Sequence, residues 1–151
     1  MRKIFFLLLS VLFVSNSYSQ TAEKYLQSGN ELFSLKHFRD AILDYDNAIR
    51  LDPNNGYAYF YRGYSKSNLE DYRGAILDFN EAIKRDSENG LAYYKRGFSK
   101  WTLGDYLGAM LDYTKAMRYF KKISTSKSEL TPRPPQPSAG LPTYGWQAQP
   151  L

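Results

Sequence analysis

Between residues 22 and 123 the apolar and small positions form a pattern that returns every 34 residues. Gly29, Gly63 and Gly97 keep that spacing, as do Leu35, Leu69 and Leu103, Ala41, Ala75 and Ala109, Asp44, Asp78 and Asp112, and Ala48, Ala82 and Ala116. Three aromatic rows share the offset: Tyr25, Tyr59 and Tyr93; Phe38, Tyr72 and Tyr106; Tyr45, Phe79 and Tyr113. The repeating units are 22–55, 56–89 and 90–123. Inside a unit the apolar or small residues fall at positions 4, 8 and 11 or 12, then at 17, 20, 21, 24, 27 and 28. Steps of three and four predict two helices per unit. The break between them falls at Lys36-His37, Glu70-Asp71 and Gly104-Asp105. Asp71 and Asp105 can accept hydrogen bonds from the free amides that open the second helix, and His37 replaces that Asp in the first unit. Asp52-Pro53-Asn54-Asn55 separates units one and two, since proline ends a helix and the Asn pair suits a turn; Asp86-Ser87-Glu88-Asn89 echoes it. The Gly and Ala rows are steric: two helices approach closely only where side chains are small, and the aromatics fill the space beside that contact.

The pattern stops on both sides. Met1, Arg2 and Lys3 precede an apolar run from Ile4 to Val14, broken only by Ser10, and small and polar residues end at Ser17-Tyr18-Ser19. The run is shorter than the roughly 20 residues that span a bilayer and has the anatomy of a signal peptide, 1–19, cleaved before Gln20. An uncleaved N-terminal anchor is the alternative. Cleavage predicts an exported chain, periplasmic or secreted, without a stable membrane span. From Ser124 the composition changes, with six of the seven prolines lying at or beyond Pro132. Such a segment is extended and cannot be a fourth unit, so 124–151 is expected to be a disordered tail, with any helix reaching about Leu130 a continuation of the last one. Tyr144 and Trp146 are unusual in such a tail. They either dock on the array, in cis or by self-association with a neighbouring molecule, or belong to an untethered segment.

Composition narrows the chemistry. The 151 residues include 17% aromatics, no cysteine and one histidine. Disulfides, thiolate nucleophiles, cysteine-ligated zinc and a lipoprotein cysteine are excluded, and His37 alone leaves little for acid–base catalysis or metal ligation. No enzyme, cofactor or metal site is expected. Removal of the leader leaves 18 basic against 15 acidic residues. With no basic run interleaved with aromatics, nucleic acid is not an expected partner. The charge is uneven: the three units carry −2, −1 and +5. That asymmetry suits orientation of an extended ligand or head-to-tail contact, or is a solvated face.

The 34-residue unit resembles the tetratricopeptide repeat (TPR) family, whose helix-turn-helix has an aromatic at position 4, Gly at 8, an aromatic at 17, Ala at 20, an aromatic at 24, Ala at 27 and often Pro at 32. All but the last recur in each copy; Pro53 alone fills position 32. The resemblance implies an all-α fold, a right-handed α-solenoid of three hairpins, with function on the concave face lined by the first helices. Carried over to matching positions, that groove includes Asn30, Phe33, Phe60, Tyr61, Tyr64, Tyr94, Lys95, Phe98 and Trp101. The alternative for the rings at positions 5 and 12 is ordinary packing between repeats. The carboxylate clamp of chaperone-binding members is not carried over: Asn30 matches fully and Lys95 in charge, but Leu26, Tyr61 and Leu91 hold its other places. The implied partner is a protein or peptide gripped by stacking and apolar contact, for scaffolding or assembly. The same rings also suit a glycan. TPR arrays usually finish with a solvating helix, and none is evident after unit three, so the last face is expected to be bare. At position 7, often Leu in the family, stand Arg62 and Arg96, with Ser28 in the first unit. The expected acceptors lie one unit earlier, Asp44 for Arg62 and Asp78 for Arg96. Pairing within each unit and independent solvated charges are the alternatives.

Overall fold

A computed structural model describes residues 21–130, the side chains as far as Thr125. The expected leader and residues 131–151 lie outside it. Among the described residues there are six helices and no strand: α1 (21–34), α2 (Phe38–Leu51), α3 (Gly56–Asn68), α4 (Tyr72–Arg85), α5 (Gly90–Thr102) and α6 (Tyr106–Leu130). They pack as successive antiparallel hairpins, with α2 against α3 and α4 against α5 joining one hairpin to the next. The result is an α-solenoid. The last helix continues past Ile123 to Leu130. The expected tail therefore begins as helix, which no residue before Pro132 forbids.

Each hairpin turn has the same backbone form. The amides of His37, Asp71 and Asp105 donate to the carbonyls of Leu32, Lys66 and Lys100, each at 2.9 Å. This wide closing bond requires a left-handed residue just before it. Lys36, Glu70 and Gly104 take that conformation, with φ of 63°, 65° and 86°. Only the third turn supplies the residue that adopts it without cost. Beyond the turn, Asp71 accepts from the Gly74 amide and Asp105 from that of Gly108, both at 2.9 Å. His37 makes no side-chain cap. Asn55 and Asn89 do more than turn the chain: each accepts from the amide three residues on, Ala58 and Ala92, and so caps the next unit's first helix.

The core follows the small-residue rows. Ala41, Ala75, Ala109, Ala48, Ala82 and Ala116 are all essentially inaccessible, as are Tyr45 and Phe79. One cluster joins Leu26, Ala41, Tyr45 and Ala48 to Ala58 of the next unit, and a second joins Phe60, Ala75, Phe79 and Ala82 to Ala92. Each cluster thus crosses a unit boundary.

The arginines at position 7 correct the expected pairing. Neither Arg62 with Asp44 nor Arg96 with Asp78 is bonded; each arginine instead holds the acid of its own unit. Arg62 donates to both oxygens of Asp78, Nε at 3.0 Å and Nη2 at 2.5 Å, and Arg96 does the same to Asp112 at 2.8 and 2.6 Å. Positions 7 and 23 face each other across the hairpin, so the nearest carboxylate is intramolecular to the unit. The reach to the previous unit survives in the third donor, which binds Asp46 or Asn80. Lys66 and Lys100 complete each cluster, at 2.8 Å from Asp78 and 2.9 Å from Asp112. In unit one Ser28 donates to Asp44 at 2.6 Å.

Two outcomes follow from the turns and the buried acids. Glu70→Gly relieves a left-handed side chain and should raise unfolding free energy by about 1 kcal/mol, measured by urea denaturation. Burial favours the protonated form of Asp112, but hydrogen bonds from Arg96 and Lys100 outweigh it and hold the carboxyl below its ordinary range. As pH falls, the unfolded chain takes up this proton first, so the cluster's contribution is complete above about pH 5 and is lost progressively below about pH 4. Asp112→Asn should flatten that acid limb in a series of urea titrations.

Candidate functional site

The nine groove residues separate into two groups. Six come together as one contact between units one, two and three. Phe33 lies 5.7 Å from Tyr61 and 4.9 Å from Tyr64, and Phe60 lies 5.1 Å from Tyr61, centroid to centroid. Tyr61 stacks on Tyr45 at 6.0 Å, and the Tyr45 hydroxyl donates to Asn30 Oδ1 at 2.9 Å. Burial, with Tyr61 and Asp44 nearby, pushes the Tyr45 hydroxyl well above its ordinary range, so it remains a neutral donor. The Lys95 ammonium sits 3.8 Å from the centre of the Tyr64 ring, a cation–π contact across the second boundary. Phe60 is buried, and Asn30, Phe33, Tyr61, Tyr64 and Lys95 are half-buried. These side chains spend much of their surface holding one unit on the next.

Tyr94, Phe98 and Trp101 form the second group, with 45%, 45% and 54% of their surface exposed. Among the described residues each ring has one aromatic neighbour: Tyr113 at 5.5 Å for Tyr94, Tyr72 at 6.2 Å for Phe98, Tyr106 at 4.8 Å for Trp101. All three lie on α5 at spacings of four and three, which places them on one helix face. The reason for the difference is position in the array. Phe33, at position 12 of unit one, is covered by rings from α3, whereas Trp101, at position 12 of unit three, has no following first helix among the described residues.

The clamp positions are occupied as expected from their residue types. Asn30 is bonded to Tyr45 and Leu26 is buried. His37 is exposed in the first turn. Among the described residues no group of three potential ligands can hold a metal, and no helix is long and apolar enough to cross a membrane.

The last face of the array, expected from sequence to be bare, forms a further surface that shares only Trp101 with the nine groove residues. Trp101, Tyr106, Leu107, Met110, Tyr113, Thr114 and Met117 line an open trough of about 430 Å³ along α5 and α6. Its counterparts earlier in the array are covered: Tyr45 and Phe79 are fully buried, and Ile49 and Ile83 pack on the two core clusters. Met110 and Met117 are 59% and 67% exposed. The signal was present in the repeat itself, because unit three keeps apolar residues at positions 21 and 28, and the position-28 residues of units one and two, Ile49 and Ile83, pack on clusters that reach into the unit that follows. Leu43, Leu77 and Leu111 form another exposed row, one per second helix.

Comparison with known proteins places this architecture. A family model described as TPR repeat matches residues 29–69, and one described as tetratricopeptide repeat matches residues 57–89. The chain is similar to the second TPR of Spaghetti (RPAP3) bound to an HSP90 peptide, at 24% identity and a TM-score of 0.68, over 70% of this chain and 97% of that one. It is similar to the Arabidopsis OM64 TPR domain at 26% identity and a TM-score of 0.68, over 74% and 92% of the two chains. A third similar structure is the TPR2B domain of yeast Sti1 in a pHsp70 complex, at 23% identity and a TM-score of 0.68, over 73% and 88%. No curated protein matches the chain.

The division of the rings has a measurable consequence. Phe60→Ala should cost about 3 kcal/mol or more in unfolding free energy, because it empties a packed boundary, whereas Phe98→Ala should change it by less than about 1 kcal/mol. Urea denaturation of the two variants checks the contrast.

Proposed function

Because the chain is a tetratricopeptide repeat protein, we propose that it is an exported, non-enzymatic module that holds an extended or helical segment of another protein on α5, for scaffolding or assembly. The observation that carries this reading is the row of three half-exposed rings, Tyr94, Phe98 and Trp101, on one face of a helix whose other faces are packed. Large rings offer contact area at little entropic cost and are frequent anchors of peptide recognition. Phe33, Phe60, Tyr61 and Tyr64 support that surface rather than form it, and Lys95 lies at its edge. Structural relatives with bound peptides make a peptide the leading ligand class. The clamp residues that would grip an acidic terminus are replaced here by Leu26, Tyr61 and Leu91, which favours an apolar or aromatic segment.

A peptide library screened against the purified chain should yield ligands whose affinity falls about tenfold or more in Phe98→Ala or Trp101→Ala, about 1.4 kcal/mol, and is unchanged in Leu43→Ala on α2. Ligands insensitive to both ring substitutions would overturn the assignment. Retention on a glycan array that is lost in the same two variants would favour the second reading, a cell-envelope polysaccharide stacked on these rings.

A further inference from the structure

We propose that the apolar trough at the end of the array is occupied in cis by the chain's own last segment, with Tyr144, Trp146 and the prolines before them lying against Trp101, Tyr106, Met110, Tyr113 and Met117, so that a partner on α5 gains Trp101 by displacing this segment. The trough is the surface on which a following unit would seat. In the two earlier units the equivalent rings are covered by Ala58 and Tyr61 of α3 and by Ala92 of α5. Residues 124–151 do not continue the 34-residue pattern, and 131–151 lie beyond α6.

The chemistry of the two partners agrees. The trough is lined by aromatic rings and thioethers, with Thr114 as its polar side chain. Proline-rich extended segments dock in aromatic-lined grooves because little conformational freedom remains to be lost, and methionine adapts to an irregular partner. Residues 131–151 carry one charged side chain, Arg133, and place Leu141, Tyr144 and Trp146 close together near the end. Reach is sufficient. From Leu130 back to Tyr106 is about 36 Å along the helix. An extended proline-rich chain from Leu130 reaches about 43 Å by Tyr144. Tethering also holds the segment near the trough at an effective concentration in the millimolar range.

A second copy stacked head to tail fits poorly. The face that its α1 presents carries Lys24, Gln27 and Glu31, all exposed, where α3 has the buried Ala58 and Ser65 and the half-buried Tyr61. Seating α1 on the trough would bury the charges of Lys24 and Glu31 against thioethers and rings that offer neither of them an opposite charge.

The absence of cysteine makes a direct test possible. Met110→Cys and Gly145→Cys are combined in the full chain and oxidised mildly at low protein concentration. The expected product is a disulfide within one chain, formed about tenfold more than with Leu43→Cys in place of Met110→Cys. Equal yields at both positions, or a disulfide that links two chains, would overturn the proposal. A second readout does not depend on the engineered thiols. The chain has two tryptophans, so Trp146→Phe leaves Trp101 as the sole reporter. Adding Tyr144→Ala should then raise acrylamide quenching of Trp101 about twofold, as expected when a covering ring is lost. Unchanged quenching would also overturn it. Neither measurement involves a peptide partner.

Discussion

A ring pressed against the backbone of a glycine is the contact on which this array depends. A Cβ at Gly29 would meet Tyr45 Cε1 at 2.7 Å, and one at Gly97 would meet Tyr113 at 3.0 Å. At Gly63 the neighbours are Asp78 Cβ at 3.0 Å and Phe79 Cε1 at 3.1 Å. With no side chain in the way, the two helices of a hairpin approach until the position-24 ring fills the gap. In the first two units that ring is then wholly removed from water and becomes the floor on which the next first helix rests. Hairpin closure and the stacking of units are therefore one packing problem, not two.

The same close approach brings the residue beside each glycine opposite the residue before each ring. That is why Arg62 and Arg96 meet Asp78 and Asp112 rather than acids of the preceding unit. Removing these carboxylates from water is costly, and each is compensated by two cations and three charge-assisted bonds. The fork geometry of the guanidinium leaves one donor to reach outward to Asp46 or Asn80, so the buried pair also registers one unit against the last. Ser28 satisfies Asp44 in the first unit with a single short bond, which suffices where no earlier unit has to be aligned.

Much of this architecture was legible because each decisive position occurs three times. A glycine, an alanine or an aromatic returning every 34 residues fixes helix faces and close contacts without any coordinates, and Asp71 and Asp105 could be read as caps from their place before a helix. The arginine partners were not legible: spacing alone does not say whether position 7 looks across its own hairpin or back to the unit before. The candidate site was legible only in part. An aromatic at position 12 is structural in Phe33 and exposed in Trp101, because α3 covers the first and no described first helix covers the second. Turn geometry was similarly hidden, since Lys36 and Glu70 adopt a backbone form that their side chains do not advertise.

The two ends of the described array are chemically unlike. Its front carries Lys24, Gln27 and Glu31, with Gln27 donating to Glu31 at 3.3 Å, while its rear carries methionine and aromatic side chains in the register of a repeat boundary. Such an array has a direction of growth. Another 34-residue unit could be appended behind α6 on a surface already shaped for it, whereas one added in front of α1 would require that helix to be rewritten first. A unit inserted by duplication behind α6 would take the place of the last segment on the trough, and the hairpins in front would keep their contacts.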